Sequence, residues 1–313
     1  MAGANLPAKK YKKTSPTVTR LSFEFTGGDT KFIDIGMALS AVNRKFYRQG
    51  VYYYVNSVEI YNDATGVVDL HTLPDNWITK NAHKRGFQLF QKMNAMVDSP
   101  ISSVGRPKYH DFKVYLSYLH SQTGSTPPSL HGLNATSSVV NSDDWVYSKF
   151  TSADDDQDGA ANADEFTVHM IGGHGGSSNN WASVALIRSY GESRNTVAPD
   201  SPEDANIVTE DPLMNIFDFS SEEQMNDIID NLRSDNDETP YDFNLYVGES
   251  NNHMQHAARI GTEAGVGRVG RASGFCAPFG LIAVDSQLPP NDAFRVVLNL
   301  AVGTYHGVYA ERA

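Results

Sequence analysis

Val51-Tyr-Tyr-Tyr-Val-Asn-Ser-Val-Glu-Ile-Tyr61 is the stretch that sets the fold class: eight of its eleven residues are Val, Ile or Tyr. Such side chains lose freedom in a helix and pack well on a pleated surface, so the run predicts a strand. Working back from it, Leu21, Phe23 and Phe25 alternate with Arg20, Ser22, Glu24 and Thr26, which predicts a half-buried strand over 18–26 closed by Gly27-Gly28-Asp29. Working forward, strands are predicted at 66–73, 110–120, 145–150, 164–171, 182–190, 243–247, 278–285 and 293–302. Apolar residues at helical spacing predict short helices at 37–48 and 77–97. Ser220 with Glu223 has the form of a capping box opening a third helix through Leu232. Residues 121–143 and 192–212, rich in small, polar and proline residues, read as loops. The helices lie far apart and the strands between them alternate. That favours an all-β, antiparallel sandwich over a doubly wound sheet.

No repeat and no clean linker divides residues 18–313, which read as one domain. Residues 1–17 differ in kind. Lys9, Lys10, Lys12 and Lys13, with Pro7 and Pro16 and few large apolar residues, read as a disordered basic arm.

Charge is unevenly placed. The 313 residues carry a net −12, which taken whole argues against a nucleic-acid partner. Yet residues 1–50 hold nine Lys/Arg against three Asp/Glu, and residues 151–250 hold three against 22. The acidity therefore belongs to the middle of the chain, and the arm is free to bind phosphate. Lys9, Lys10, Lys12 and Lys13, continued by Arg20, Arg44, Lys45 and Arg48, are the candidate nucleic-acid contacts, with Tyr11 available to stack on a base. The plainer reading of the arm is a solvated tail that aids solubility.

A single cysteine, Cys276 in Gly-Phe-Cys-Ala-Pro, cannot close a disulfide within the chain and reads as a small buried hydrophobe. The first residues lack a signal-peptide apolar core, and no run approaches the ~18 apolar residues of a membrane helix. A soluble protein made in a reducing compartment, with no membrane partner, is expected. The sequon Asn134-Ala-Thr136 is then a chance match.

The sharpest local motif is Asp154-Asp-Asp156-Gln-Asp158-Gly159-Ala-Ala-Asn162-Ala-Asp-Glu165. Hard oxygen ligands at alternate positions, with a glycine at the turn, fit a calcium loop. Asp154, Asp156, Asp158, Asn162 and Glu165 are the candidate ligands of a Ca2+ ion, the one cofactor considered. Two features point instead to an acidic turn: Ala161 replaces a larger aliphatic residue, and the exit alternates like a strand. His253 and His256 are three apart in what reads as a polar loop. His169 alternates with Val168 and Met170 on the polar face of a strand, and His174 lies in a glycine-rich connection. Neither G-x-S-x-G nor H-E-x-x-H occurs, so no catalytic residue is nominated and no enzyme is expected.

Four segments carry a family likeness: Asp144-Trp-Val-Tyr-Ser-Lys-Phe150, Asp164-Glu-Phe-Thr-Val-His-Met-Ile171, Ala185-Leu-Ile-Arg-Ser-Tyr-Gly-Glu-Ser-Arg194 and Asp211-Pro-Leu-Met-Asn-Ile-Phe217. With a basic arm ahead of a β-rich chain, they resemble the capsid proteins of small circular single-stranded DNA viruses from marine and environmental sources. The resemblance spans roughly 18–310. It implies a single jelly roll of eight core strands, many copies closing into an icosahedral shell, and a genome of single-stranded DNA bound by the arm. It further implies a virion location after synthesis in host cytoplasm or nucleus. The arm here is short and lysine-based, where such capsid proteins often carry a long arginine-rich one. A calcium-dependent β-sandwich that binds glycans is the alternative.

Overall fold

The computed structural model describes residues 17–98, 111–123, 129–131, 144–152, 164–177, 180–193, 226, 229–230, 254–262, 269–290 and 292–312. In chain order the elements are β1 (Arg20–Thr26), β2 (Lys31–Asp34), α1 (Ile35–Asn43), β3 (Val51–Asn62), β4 (Gly66–Thr72), α2 (Trp77–Asp98), β5 (Tyr115–Ser117), α3 (Tyr118–Thr123), β6 (Ser129–His131), β7 (Lys149–Ser152), β8 (Asp164–Ile171), β9 (Gly175–Ser177), β10 (Asn180–Ala185), α4 (Leu186–Glu192), β11 (Gln255–Thr262), β12 (Val269–Ala277), β13 (Leu281–Ser286), β14 (Ala293–Leu300), β15 (Val302–Tyr305) and β16 (Ala310–Arg312). Strands dominate, as the alternation predicts.

Two antiparallel sheets form the framework. One runs β12-β3-β14-β1-β6, with β16 also on β3; the other runs β11-β4-β13-β2. Their pairings nest. β1 pairs with β14, β2 with β13, β3 with β12 and β4 with β11. Leu21, Phe23, Phe25, Val55, Ile60, Val68, Leu70, Ile260, Ile282, Val284, Phe294, Val296 and Leu298 fill the space between the sheets. The opposite positions of β1, Arg20, Ser22 and Glu24, face outward, as period two requires.

Between β4 and β11 lies a long insertion, residues 73–254. Its described part carries α2, α3, α4 and a third sheet, β5-β8-β10-β9 with β7 beside β8. A second apolar core forms where this insertion covers the outer face of the four-stranded sheet. It joins Phe32, Leu281 and Ala283 of the framework to Ile78, Phe90, Phe112, Val114, Leu116, Met170 and Ile187 of the insertion. β13 thus serves both cores: Ile282 and Val284 point into one, Leu281 and Ala283 into the other. That is why it reads as an unbroken apolar run.

Several expectations are corrected. The sheets are not all antiparallel, since β8 pairs in parallel with both β5 and β10. The strand predicted at 110–120 is reduced to Tyr115–Ser117; Phe112 and Val114 are buried in an extended segment, and Ser117 Oγ accepts the His120 N–H to open α3. The 182–190 strand stops at Ala185, where Leu186 and Ile187 turn an apolar face of α4 inward and Arg188 pairs with Glu192 one turn on. The strand at 145–150 is shifted to Lys149–Ser152. The 121–143 loop contains β6, and the polar stretch at His256 is part of β11. The first helix starts at Ile35 because Asp34 caps it, its Oδ1 accepting the Met37 N–H at 3.1 Å. In the 220–232 segment, residues 226, 229 and 230 are helical; the 243–247 strand lies outside the described residues. Cys276 is half-buried on β12, and desolvation pushes its thiol up to about 11, so it stays protonated. Among the described residues no helix is long and apolar enough to cross a membrane.

Candidate nucleic-acid interface

Lys9, Lys10, Lys12 and Lys13 lie outside the described residues, but the point where the arm meets the framework is well defined. Asn43, the last residue of α1, clamps it. Its Oδ1 accepts the Val18 N–H at 2.7 Å and its Nδ2 donates to the Val18 carbonyl at 3.0 Å. Thr17 Oγ1 donates to the His306 carbonyl at 2.7 Å, and Tyr47 OH donates to the same oxygen at 3.0 Å. The turn beneath needs Gly307, whose φ is +102° and whose missing Cβ leaves room for Thr17.

This places the arm's exit beside Arg44, Lys45 and Arg48. Arg44 ends α1 at φ 52°, a left-handed position that usually favours glycine. An exposed arginine there keeps a charge at the arm's root in spite of a backbone preference against it. Arg48 is mostly exposed and reaches Asp111 Oδ2 at 3.3 Å. Its backbone is fixed from both sides, the N–H by Tyr305 OH at 3.0 Å and the carbonyl by Tyr53 OH at 2.6 Å.

Arg20 sits apart, on the outer face of the six-stranded sheet. It bonds Glu59 Oε2 at 3.0 Å, while Arg271 approaches the other oxygen of Glu59 at 3.7 Å. Arg295 meets Glu24 at 3.4 Å on the same face. Two arginines sharing Glu59 leave one positive charge in excess, at the start of the strand that continues the arm. Composition offers no way to see Arg271 and Arg295 as neighbours of Arg20, because they lie on β12 and β14, more than 250 residues further along the chain.

Of the candidate calcium ligands, Asp154, Asp156, Asp158 and Asn162 lie outside the described residues. Glu165 is on β8, bonded to Lys149 Nζ at 2.7 Å. β7 and β8 pair antiparallel from Lys149↔Thr167 to Ser152↔Asp164, so the motif joins two strands of a hairpin, unlike the helix-flanked loop of an EF-hand. Among the described residues, no three His, Cys, Asp or Glu side chains are grouped to hold a metal. His256 meets His71 on the neighbouring strand, with ring centroids 5.3 Å apart, and Asp69 at 3.2 Å. His253 lies outside the described residues.

The sequence gives no hint of a buried polar seam where the insertion meets the framework. Asp34 Oδ2 accepts from Gln49 Nε2 at 2.9 Å and faces Tyr147 OH at 3.4 Å, and Tyr147 OH lies 3.5 Å from His120 Nε2. Burial raises Asp34 to about 6 despite these donors, and lowers His120 to about 3. Lys113, desolvated and held below its usual range, lies 4.6 Å over the Trp145 ring. His169 is fully buried, contrary to its expected polar face. Its Nε2 donates to the Gly173 carbonyl at 3.0 Å, which leaves Nδ1 to accept from Ser183 Oγ at 2.7 Å, a neutral ring. These groups hold the fold together; the exposed cations at the arm's root are the ones a ligand can reach.

A scan against protein-family models, a search of curated proteins and a search of solved structures each found no match to this chain.

Proposed function

We propose that the chain is a viral capsid subunit: a jelly roll that assembles in many copies into a closed icosahedral shell and packages a single-stranded DNA genome through its basic arm. The observation that carries this is the nested pairing of eight strands. Numbered one to eight, β1, β2, β3, β4, β11, β12, β13 and β14 pair one with eight, two with seven, three with six and four with five. The β14–β3 and β13–β4 pairings then roll that ribbon into two facing sheets. This nesting supports the jelly-roll reading, a fold that capsids share with lectins and cupins, so the topology alone does not choose among them. The arm does. Four lysines within five residues, followed by Arg20, lead into a root flanked by Arg44, Lys45 and Arg48. A shell needs such a tether on its genome side. A glycan-binding module has no use for one.

The acidic 151–250 segment then belongs on the outer surface or at subunit contacts, where it does not repel the genome. Electron microscopy and size exclusion of the expressed chain test the assembly. Uniform closed particles are expected; a monomer that persists across salt, calcium and pH overturns the proposal. Deleting residues 1–16 leaves the Thr17 and Val18 anchors intact and removes the four lysines. Co-purified nucleic acid should fall sharply, and unchanged packaging removes the role assigned to the arm. Calorimetry with Ca2+ on wild type and an Asp156→Ala, Asp158→Ala variant tests the loop, and equal heats in both rule it out as a site.

A further inference from the structure

We propose that the described part of the insertion, with α2, α3, α4 and the third sheet, is a proton-released cover, which undocks from the outer face of the four-stranded sheet when the medium is acidified. The seam rests on two histidine–phenylalanine stacks, each pairing a ring of the insertion with a ring of the framework. His83 of α2 stacks on Phe279 at 4.2 Å and 23°; His120 of α3 stacks on Phe32 at 4.6 Å and 15°. Both histidines are buried.

Neither site has room for a second proton. His120 Nδ1 accepts the Leu116 N–H at 3.0 Å, so protonating it sets donor against donor. Its Nε2 faces Tyr147 OH, behind which stand Asp34 and, near that carboxylate, Lys113; Tyr115 flanks the ring at 5.1 Å. His83 Nε2 is buried without a hydrogen-bond partner, packed against Phe112, Phe279 and Gly50. Among the described residues no carboxylate pairs with His83. The nearest charges along its helix are Lys80 and Lys84, and Asp75 is engaged by Lys80 at 2.9 Å.

The neck of the insertion repeats the theme. The chain leaves through β4 and returns through β11, and there His71 and His256 lie directly opposite each other. Burial, and then the neighbouring His256, hold His71 below its usual value. Asp69 contacts His256 but also serves Arg259 at 3.7 Å, and Asp285 of β13 is in register with Asp69.

The direction follows from linkage. Burial holds His83 down to about 4 and His120 to about 3, against about 6.5 for an exposed ring. Their contribution to docking is complete above pH 6.5 and is lost as pH falls toward those values. Between pH 7.5 and 5.0 each lowers the docking equilibrium about 30-fold, or about 1,000-fold together. Asp34 acts oppositely: raised to about 6, it takes up a proton in the docked state and returns about 10-fold. A net loss of about 100-fold remains.

Hydrogen exchange on the full chain at pH 7.5 and 5.0, corrected for intrinsic rates, tests this. Amides of 112–117 should lose protection at pH 5.0 while β1, β3 and β14 keep theirs. Simultaneous loss in both regions, or none in either, overturns the proposal. In a His83→Leu, His120→Gln variant the loss should move to lower pH, and an unmoved midpoint overturns it. Should that variant fail to fold, histidine C2-proton exchange on wild type decides: His83 and His120 must titrate below pH 5, and values near 6.5 refute the idea.

Discussion

Gln49 grips the backbone of Val114 from both sides, accepting its N–H on Oε1 at 2.6 Å and donating from Nε2 to its carbonyl at 2.8 Å. The two residues stand on opposite sides of the seam, and the same Nε2 also reaches Asp34. One side chain therefore stands in for a strand partner and satisfies a buried carboxylate. Gln49→Ala takes the partner from the buried Val114 N–H and carbonyl and removes one donor from Asp34. It should lower stability by about 2–4 kcal/mol, read from denaturant unfolding. A loss below about 0.5 kcal/mol means water replaces the amide.

Asp34 sets a pH slope. Its folded value near 6 lies above the unfolded 3.8, so its protonation favours the folded state; that stability is present below pH 4 and lost as pH rises through 6. Asp34→Asn cannot titrate. Whatever its constant penalty at the seam, the variant should gain on wild type by about 2 kcal/mol between pH 4 and 7. A pH-independent difference sinks this assignment.

Arg44 separates charge from backbone. Replacing it by Gly relieves a left-handed φ and should raise stability by about 0.5–1 kcal/mol. The same change should weaken binding to single-stranded DNA and reduce the slope of log affinity against log salt by about 1. If stability rises and binding does not move, Arg44 is not a phosphate contact.

Gly307→Ala introduces a Cβ against Thr17 at a position whose φ is +102°. A stability loss of at least about 1 kcal/mol is expected, with faster proteolysis at the arm's root. Thr17→Ala in the same background should restore part of the loss, because it removes the closest contact, Oγ1, but neither the Cβ contact nor the backbone strain.

Strands whose own side chains carry the pattern were readable: β1, β3, β4, β8 and β14 alternate or are β-branched and aromatic. β12 was not. Val-Gly-Arg-Ala-Ser-Gly-Phe-Cys-Ala has little preference for a strand, and its conformation is imposed by pairing with β3 from Val269↔Tyr61 to Ala277↔Tyr53. Gly274 shows why small residues serve there, since a Cβ would strike the Val55 carbonyl. The basic residues at the arm's root were visible as charges, but their convergence depends on Asn43 and His306, which have no local signature. Gln49 and Asp34 are single polar residues in unremarkable surroundings. Only the tertiary structure turns them into a hinge point between two cores.

Thr72 and Gln255, which bracket the insertion, are directly paired across adjacent strands. The chain that leaves the framework for some 180 residues returns one strand width, about 5 Å, from its point of departure. A turn of a few residues could close that gap without disturbing any pairing of the eight-strand ribbon. The framework is thus indifferent to what it carries there. Lengthening, shortening or exchanging the cargo is a change of lining on one face of one sheet, answerable to Phe32, Phe279, Leu281 and Ala283 and to the polar contacts of Asp34 and Gln49. A surface built this way can be rewritten wholesale while the scaffold beneath it stays the same.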